Sequence, residues 1–271
     1  MPLLNAAACA DLLDALTTVA ISASLAILQV GGQDQARAKA DGSPVTPADE
    51  AADATIRAGL HHVAPRLPVI SEESLDQAKP DFAAGSIILV DPLDGTRDFI
   101  AGRNEYTVNI AVVSDGVPML GVITAPALGL IWRGVVGRGA ERLEFTTDGR
   151  TSSPEAIHTR QPPPNELTVV ISRSHLDART QTYVDALPGA RPLQNGSSLK
   201  FCRVAEGSAD VYPRLAPTHD WDIAAGHAIL TAAGGSVTAP DGAALLYGSP
   251  ELLVPAFLAW GDPAGAVLLR G

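Results

Sequence analysis

A chain of 271 residues, 46% hydrophobic and 18% charged, can build one large core or two closely packed ones and is too apolar for wholesale disorder. Its net charge of −11, with 19 scattered basic residues, excludes nucleic-acid backbones and anionic lipid as natural partners. An anionic substrate would therefore need a site whose local sign is reversed by cations.

The N-terminal segment carries Asp11 and Asp14 and no basic residue before Arg37, so it lacks the positive start of a secretory leader. Residues 15–30 are apolar, interrupted by Gln29, and short for a bilayer span. Leu12, Leu16, Val19, Ala23, Ile27 and Val30 recur at helical spacing, while Ile21, Leu25 and Leu28 fill a second face. That pattern predicts a buried helix packed on more than one side. Thr46-Pro47-Ala48-Asp49 predicts a helix start, with Thr46 as cap, Pro47 in the first turn and Asp49 at the capping-box position; the helix runs to about His62. Residues 67–71 and 87–90 have strand length, and each runs into acidic residues. Residues 106–113, 119–124 and 130–136 are separated by turn residues and predict an antiparallel meander.

Residues 146–165 are rich in Pro, Ser and Thr, with prolines at 162, 163 and 164. They predict a boundary between an N-terminal half, 1–164, and a C-terminal half, 165–271. Beyond it, 167–171 reads as strand, 177–187 and 197–206 as helices, 209–212 as strand, and 222–233 as a helix stopped by Gly234-Gly235, with further strands after it. No internal repeat is present. Cys9 and Cys202, the only cysteines, stand in no metal-ligand or redox spacing and read as reduced thiols in a cytosolic protein.

The chemistry concentrates in Asp91-Pro92-Leu93-Asp94-Gly95-Thr96. A buried strand delivers Asp91 to its end, and Pro92 turns the chain so that Asp94 faces the same cavity. Ser71-Glu72-Glu73-Ser74 follows another short strand. Carboxylates gathered at neighbouring strand ends repel one another unless a cation sits among them. All-oxygen ligation suits a hard cation, and an open, hydrated cluster suits Mg²⁺ better than a closed calcium cage. Gly95 lets the backbone approach closely, and the N–H groups of the turn at Thr96 point at an anion. Metal carboxylates beside a phosphate-cradling turn make a phosphoryl hydrolysis site. Each piece alone has a plainer reading: a surface turn for the Asp-Pro and Asp-Gly pairs, a solvated loop for Glu72-Glu73, a helix cap for Asp49, and a helix-start acid for Asp222.

Three other readings fail. Gly137-x-Gly139 has Arg142 where a dinucleotide fingerprint needs its third glycine, and it reads as a hairpin. No Gly-Lys pair exists for a Walker-type loop. Ser172 and His175 lack the nucleophile-elbow context of a serine hydrolase.

Together, Ser71-Glu72-Glu73-Ser74, Asp91 to Thr96, and Trp221-Asp222-Ile223-Ala224-Ala225-Gly226 resemble the three signatures of the inositol monophosphatase-like superfamily, in order and at ordinary separations. The resemblance implies that Glu72, Asp91, the Leu93 carbonyl, Asp94 and Asp222 bind two or three Mg²⁺ ions and, with Gly95 and Thr96, the phosphate. It also implies that Thr96, paired with Asp49, helps Glu72 orient a metal-bound water for in-line attack, and that Li⁺ inhibits. Within the superfamily the chain is similar to bacterial CysQ-type 3′(2′),5′-bisphosphate nucleotidases over nearly its whole length. That likeness rests on Asp94-Gly95-Thr96-Arg97-Asp98-Phe99-Ile100, Glu105-Tyr106-Thr107-Val108-Asn109-Ile110, Ile171-Ser172-Arg173-Ser174-His175, Gly196-Ser197-Ser198-Leu199-Lys200-Phe201-Cys202, and the run from Val204 through Tyr212-Pro213-Arg214. It implies that Ser197, Lys200 and Arg214 line a nucleotide subsite, where a second phosphate needs cations beyond the metals. Lys200 is one of only three lysines, with Lys39 and Lys79, although a snorkelling surface lysine would look the same in sequence. The chain departs from the pattern at His219-Asp220, which adds a negative charge beside Asp222.

The expected fold is a layered α-β-α-β-α, sugar-phosphatase-like α/β (α+β) arrangement, with an antiparallel sheet in the first half and a mixed sheet in the second. The expected reaction is Mg²⁺-dependent hydrolysis of adenosine 3′,5′-bisphosphate to AMP and phosphate, as in the recycling of a by-product of sulfate assimilation, with PAPS to APS as a second reaction. The alternatives are an inositol monophosphate or fructose 1,6-bisphosphate phosphatase and, from another class, an idle metal-dependent nucleotide-binding module. A monomer or homodimer in the cytoplasm is expected, without an integral membrane segment and with peripheral inner-membrane association left open.

Overall fold

An apolar helix opens the chain. In the computed structural model, which describes residues 3–40, 42–77, 85–163, 165–174 and 176–264, α1 runs Ala6–Val30. Its first turn is capped by Asn5, whose Oδ1 accepts the Ala8 N–H at 3.0 Å. The helix begins well before the apolar stretch starts, so at 25 residues it is long and apolar enough to cross a membrane by length and composition. This corrects the expectation that it is too short. Within the fold it buries Leu16, Val19, Ala20, Ala23 and Ile27 against α2 and the first sheet.

Two short strands, β1 (Arg37–Ala38) and β2 (Pro44–Val45), pair antiparallel and lead into α2 (Pro47–Val63). The capping box forms as the spacing predicts: Thr46 Oγ1 accepts the Ala48 N–H at 3.2 Å, and Asp49 Oδ2 accepts the Thr46 N–H at 2.8 Å.

The first sheet takes β3 (Val69–Ser71), β4 (Ser86–Asp94), β5 (Thr107–Ser114), β6 (Val117–Ala125), β7 (Leu130–Val135), β8 (Gly139–Glu144) and β9 (Glu155–Ile157) in that spatial order. A short helix, α3 (Thr96–Ile100), sits between β4 and β5. Every pairing is antiparallel except β3 with β4. That edge departs from the expected all-antiparallel sheet, because a parallel neighbour is reached by a crossover and not by a hairpin. The side chains alternate along the regular stretches. On β4, Ile88 and Val90 join the core under α1 and α2, while Ile87 and Leu89 join the core on the other face.

The C-terminal half supplies β10 (Leu167–Ser172), α4 (Ala178–Ala186), β11 (Ala190–Asn195), α5 (Leu199–Ala205), β12 (Val211–Arg214), β13 (Thr218–His219), α6 (Asp220–Ala232), β14 (Ser236–Thr238), β15 (Leu253–Val254) and β16 (Phe257–Trp260). Its main sheet has the order β11-β10-β12-β16-β14, with β10 parallel to β11 and β12, and β16 antiparallel to β12 and β14. The sheet is mixed, as expected. Helices α5 and α6 lie between the two sheets, and Val184 and Leu187 from the α4 end cover the outer face against Val169, Val211 and Trp260. The layers therefore run α1/α2, first sheet, α5/α6, second sheet, α4. The inner packing is tight: a Cβ at Gly121 of β6 would come 2.2 Å from the Ala225 carbonyl of α6. Pro164 and His175 lie outside the described residues.

Candidate functional site

The end of β4 is bulged. Asp91 pairs with Asn109 and Asp94 with Thr107, so Pro92 and Leu93 together face Val108. Pro92 has no N–H to give the ladder, and the break falls there. The Leu93 N–H donates instead to Asp91 Oδ1 at 3.1 Å. Gly95 follows with φ of 89°, and a Cβ on it would lie 2.1 Å from Ser197 Oγ. Only glycine meets both demands. Ser197 Oγ stands within hydrogen-bond distance of the Asp94 carbonyl, at 2.8 Å, and of the Glu105 carbonyl, at 2.7 Å. The two halves of the chain are thereby stitched together beside the turn. Thr96 opens α3 with its hydroxyl 3.0 Å from Asp49 Oδ1 and 3.2 Å from the Leu93 carbonyl.

Every predicted site residue except Asp49 lines one cavity of about 290 Å³. Asp49 lies behind its wall and reaches it through Thr96. Asp91 is fully buried, and burial first, then the charges of Glu72, Asp94 and Asp222, push its carboxyl far above the usual range. Burial, then the Asp222 charge, brings Asp94 to about 7, against the pull of Lys200 and Arg214. Glu72 is raised by burial although Lys39 opposes it, and Glu73 rises to about 7, chiefly by burial. The cluster holds like charges at a cost that a cation removes.

Among the described residues no three His, Cys, Asp or Glu side chains stand at metal-binding spacing. The cation at Glu72 is instead Lys39 Nζ, 2.7 Å from Glu72 Oε1 and 2.5 Å from Glu73 Oε1. Burial works to lower the Lys39 pKa, but Glu72 and Glu73 outweigh it and raise the pKa above normal. The donor set still fits a hard divalent cation: oxygen only, strongly acidic, and strained toward protonation without positive charge. Asp222 is oriented by its own capping box, with Oδ2 accepting the His219 N–H at 3.0 Å and the Thr218 hydroxyl.

Asp220 adds its charge beside Asp222, as expected, but not in the cavity wall. It is buried away from the cavity, and its Oδ2 accepts the Gly248 N–H at 2.6 Å, tying down the 248–252 turn. Burial raises its carboxyl to about 6.

The basic residues are placed by α5 and β12. Lys200 is only 4% exposed, donates to the Ser197 carbonyl and stands 5.3 Å from the Tyr212 ring centroid, so it does not snorkel to the surface. Arg214 donates from Nη2 to the Pro217 carbonyl at 3.3 Å, while its buried Nε has no hydrogen-bond partner. An unsatisfied buried donor costs about 1–3 kcal/mol.

Sequence reasoning missed Lys39, whose rarity as a lysine was its only signal. It also missed Ser43, Ser174 and His219 as cavity lining. The His219 ring stacks on Trp221 at 4.4 Å and 6°. Ser172 lines the cavity too, but its supposed hydrolase partner His175 is outside the described residues.

Residues 10–266 match the model of the inositol monophosphatase family. A Shigella flexneri protein named 3′(2′),5′-bisphosphate nucleotidase CysQ is 41% identical over 256 residues, spanning 91% of this chain and 98% of that protein. The protein of the same name from Escherichia coli (strain K12) is 40% identical over 250 residues, again spanning 91% and 98%. The crystal structure of CysQ from Bacteroides thetaiotaomicron, a bacterial member of the same family, matches with a TM-score of 0.78 at 36% identity, covering 91% of this chain and 96% of that one.

Proposed function

The chain belongs to the inositol monophosphatase family, and on that premise we propose that it is a Mg²⁺-dependent 3′(2′),5′-bisphosphate nucleotidase that converts adenosine 3′,5′-bisphosphate to AMP and phosphate. Relatives at about this likeness carry that name over nearly their full length. One observation carries the reading: a single cavity joins an acidic cluster to a half-buried arginine and a buried lysine. The cluster suits cations that take a reacting phosphate, and the arginine suits a second phosphate that stays.

In this reading Glu72, Asp91, the Leu93 carbonyl, Asp94 and Asp222 hold two or three Mg²⁺ ions. Bound there, Mg²⁺ would supply charge neutralisation at phosphate oxygens and a more acidic water. The rest falls to the chain. The Gly95–Thr96 turn receives the phosphate to be cleaved, and its shape is kept by the left-handed Gly95 and the Ser197 bridge. Asp49 fixes the Thr96 hydroxyl, which with Glu72 orients the water for in-line attack. Ser197, Lys200 and Arg214 face the phosphate that is retained. The same two-phosphate geometry suits conversion of PAPS to APS, and a cytoplasmic role in sulfate assimilation follows from those substrates.

The test is phosphate release with Mg²⁺ from adenosine 3′,5′-bisphosphate, inositol 1-phosphate and fructose 1,6-bisphosphate. The nucleotide should lead inositol 1-phosphate in kcat/KM by about thirty- to a hundredfold, the worth of one charged phosphate contact, and should lead fructose 1,6-bisphosphate as well. A lead by either sugar phosphate reassigns the substrate, and no release from any of the three marks an idle binding module.

A further inference from the structure

Helix α2 carries two buried carboxylates one turn apart, Asp49 and Asp53. Residues four apart share a helix face and lie roughly 6 Å apart along the axis. Asp49 takes the Thr96 hydroxyl. Asp53 takes the Ser71 hydroxyl on Oδ1 at 2.5 Å and the Ser74 hydroxyl on Oδ2 at 3.1 Å. Ser71 is the last residue of β3, and Ser74 is the kinked residue of the segment Glu72–Gln77, with φ of −136° and ψ of 27°. The two serines bracket Glu72 and Glu73, and both are bound by one carboxylate.

Ordinary turns of this kind are closed by serine bonds to nearby backbone. Here two hydroxyls converge on a side chain of another element, and the anion they bind is 7% exposed. Burying a carboxylate merely to brace a turn is a poor exchange against an apolar contact. What it provides is geometry: two fixed backbone points on either side of a glutamate carried by a short, irregular segment, whose carboxylate Lys39 holds from the other end. Asp53 also pairs with Arg57 of its own helix at 3.9 Å, but neither residue lines the cavity, so the path from Asp53 to the cavity runs through the turn.

We infer that Asp53 is a positioning residue for Glu72: by clamping Ser71 and Ser74 it fixes where the Glu72 carboxylate enters the cavity. This rests on the proposed role of Glu72 at the metal site. One rigid helix face then aligns both groups that orient the water, Thr96 through Asp49 and Glu72 through Asp53. The distance between them is inherited from the helix and not from the loops that carry them.

The experiment compares full-length Asp53→Ala, Asp53→Asn, Ser71→Ala/Ser74→Ala and Glu72→Gln with the unsubstituted protein. Mg²⁺ binding is measured by titration calorimetry, kcat and KM on adenosine 3′,5′-bisphosphate, and thermal midpoint. A displacement of about 1 Å at a reacting group can cost about a hundredfold, so Asp53→Ala should weaken Mg²⁺ about tenfold and lower kcat about thirtyfold with little change in KM. Asp53→Asn, whose amide accepts from one serine and donates to the other, should recover most of both losses. Ser71→Ala/Ser74→Ala, which leaves the carboxylate in place, should follow Asp53→Ala and decides the matter if that variant does not fold. Adding Asp53→Ala to Glu72→Gln should cost nothing more. A fall in thermal midpoint with Mg²⁺ affinity and kcat unchanged would overturn the inference, as would a full additional loss on top of Glu72→Gln. If Glu72→Gln alone binds Mg²⁺ like the unsubstituted protein, the ligand reading of Glu72 fails first and takes this inference with it.

Discussion

Asp49 receives the Thr96 hydroxyl on Oδ1 at 3.0 Å while its Oδ2 closes the start of α2, accepting from the Thr46 N–H at 2.8 Å and the Thr46 hydroxyl at 2.5 Å. One carboxylate therefore serves as a helix cap and as a brace at the cavity wall. From the sequence these are alternatives; in the fold they are two oxygens of the same group.

The two roles separate on substitution. Asp49→Ala removes both and should cost about 1 kcal/mol from the cap, which lowers the thermal midpoint by about 2–4 °C in a chain of this size. Thr96→Ala touches only the brace and should leave the midpoint within about 1 °C. Both should lower kcat on adenosine 3′,5′-bisphosphate by about tenfold or more. Calorimetry and initial rates on the pair settle it: normal kcat in Asp49→Ala leaves the cap as its only role.

The elements that carry Asp49 and Asp91 were legible because their signals are local. A capping box opens α2, and the continuous apolar run of β4 ends at a proline bulge. Strand β11 was not legible, because Arg191, Pro192, Leu193 and Gln194 form an exposed edge with no apolar alternation. Strand β9 hid in the Pro-, Ser- and Thr-rich stretch, whose middle adds an edge to the first sheet. The grouping of Asp222 with Glu72 came from resemblance alone, since nothing near either residue encodes it. Lys39 at Glu72 and Asp53 at Ser71 are likewise tertiary pairings with no mark in local spacing.

Asp91 tests the cost of the acidic cluster. Its carboxyl is held far above the usual range by burial, then by the charges of Glu72, Asp94 and Asp222. Without a cation, that favours the neutral acid, which Asn imitates, so the metal-free Asp91→Asn variant should be as stable as the unsubstituted protein or more so. Activity should fall by at least about a hundredfold. The unsubstituted protein should gain thermal stability from added Mg²⁺ by mass action, and the variant should gain much less. Activity within about tenfold of normal at saturating Mg²⁺ would remove Asp91 from the metal site.

His227 predicts an acid-side weakness unrelated to the site. Its Nδ1 lies 2.7 Å from the Tyr247 hydroxyl, and burial lowers its pKa from 6.5 to about 4. The folded protein keeps the ring neutral while the unfolded chain takes up a proton near 6.5. This contribution is complete above about 6.5 and is lost as pH falls toward 4, with a slope of at most about 1.4 kcal/mol per pH unit. His227→Gln cannot titrate and keeps a polar group for Tyr247. Between pH 7.5 and 5, urea midpoints should show the unsubstituted protein losing up to about 2 kcal/mol more than the variant. Parallel losses in the two proteins would mean that His227 is protonated in the fold.

Arg214 and Lys200 decide between a substrate with two phosphates and one with a single phosphate, and the structure makes them unequal. Arg214 is half-buried in the cavity wall and spends one Nη2 bond on the Pro217 carbonyl, so its guanidinium keeps donors for a bound anion. Arg214→Ala should cost roughly 2–3 kcal/mol, or about thirty- to a hundredfold in kcat/KM, on adenosine 3′,5′-bisphosphate. Slow hydrolysis of a monophosphate should be spared, because the retained phosphate takes no part in activating water. Lys200 is already engaged: its amine donates to the Ser197 carbonyl, in the turn that braces Gly95. Lys200→Ala should therefore reduce activity on both substrate types, with the larger loss on the bisphosphate. The ratio of kcat/KM for the two substrates should narrow sharply in Arg214→Ala and only partly in Lys200→Ala. Equal losses on both substrates in Arg214→Ala would make the arginine structural and leave the second phosphate without a fixed cation to receive it.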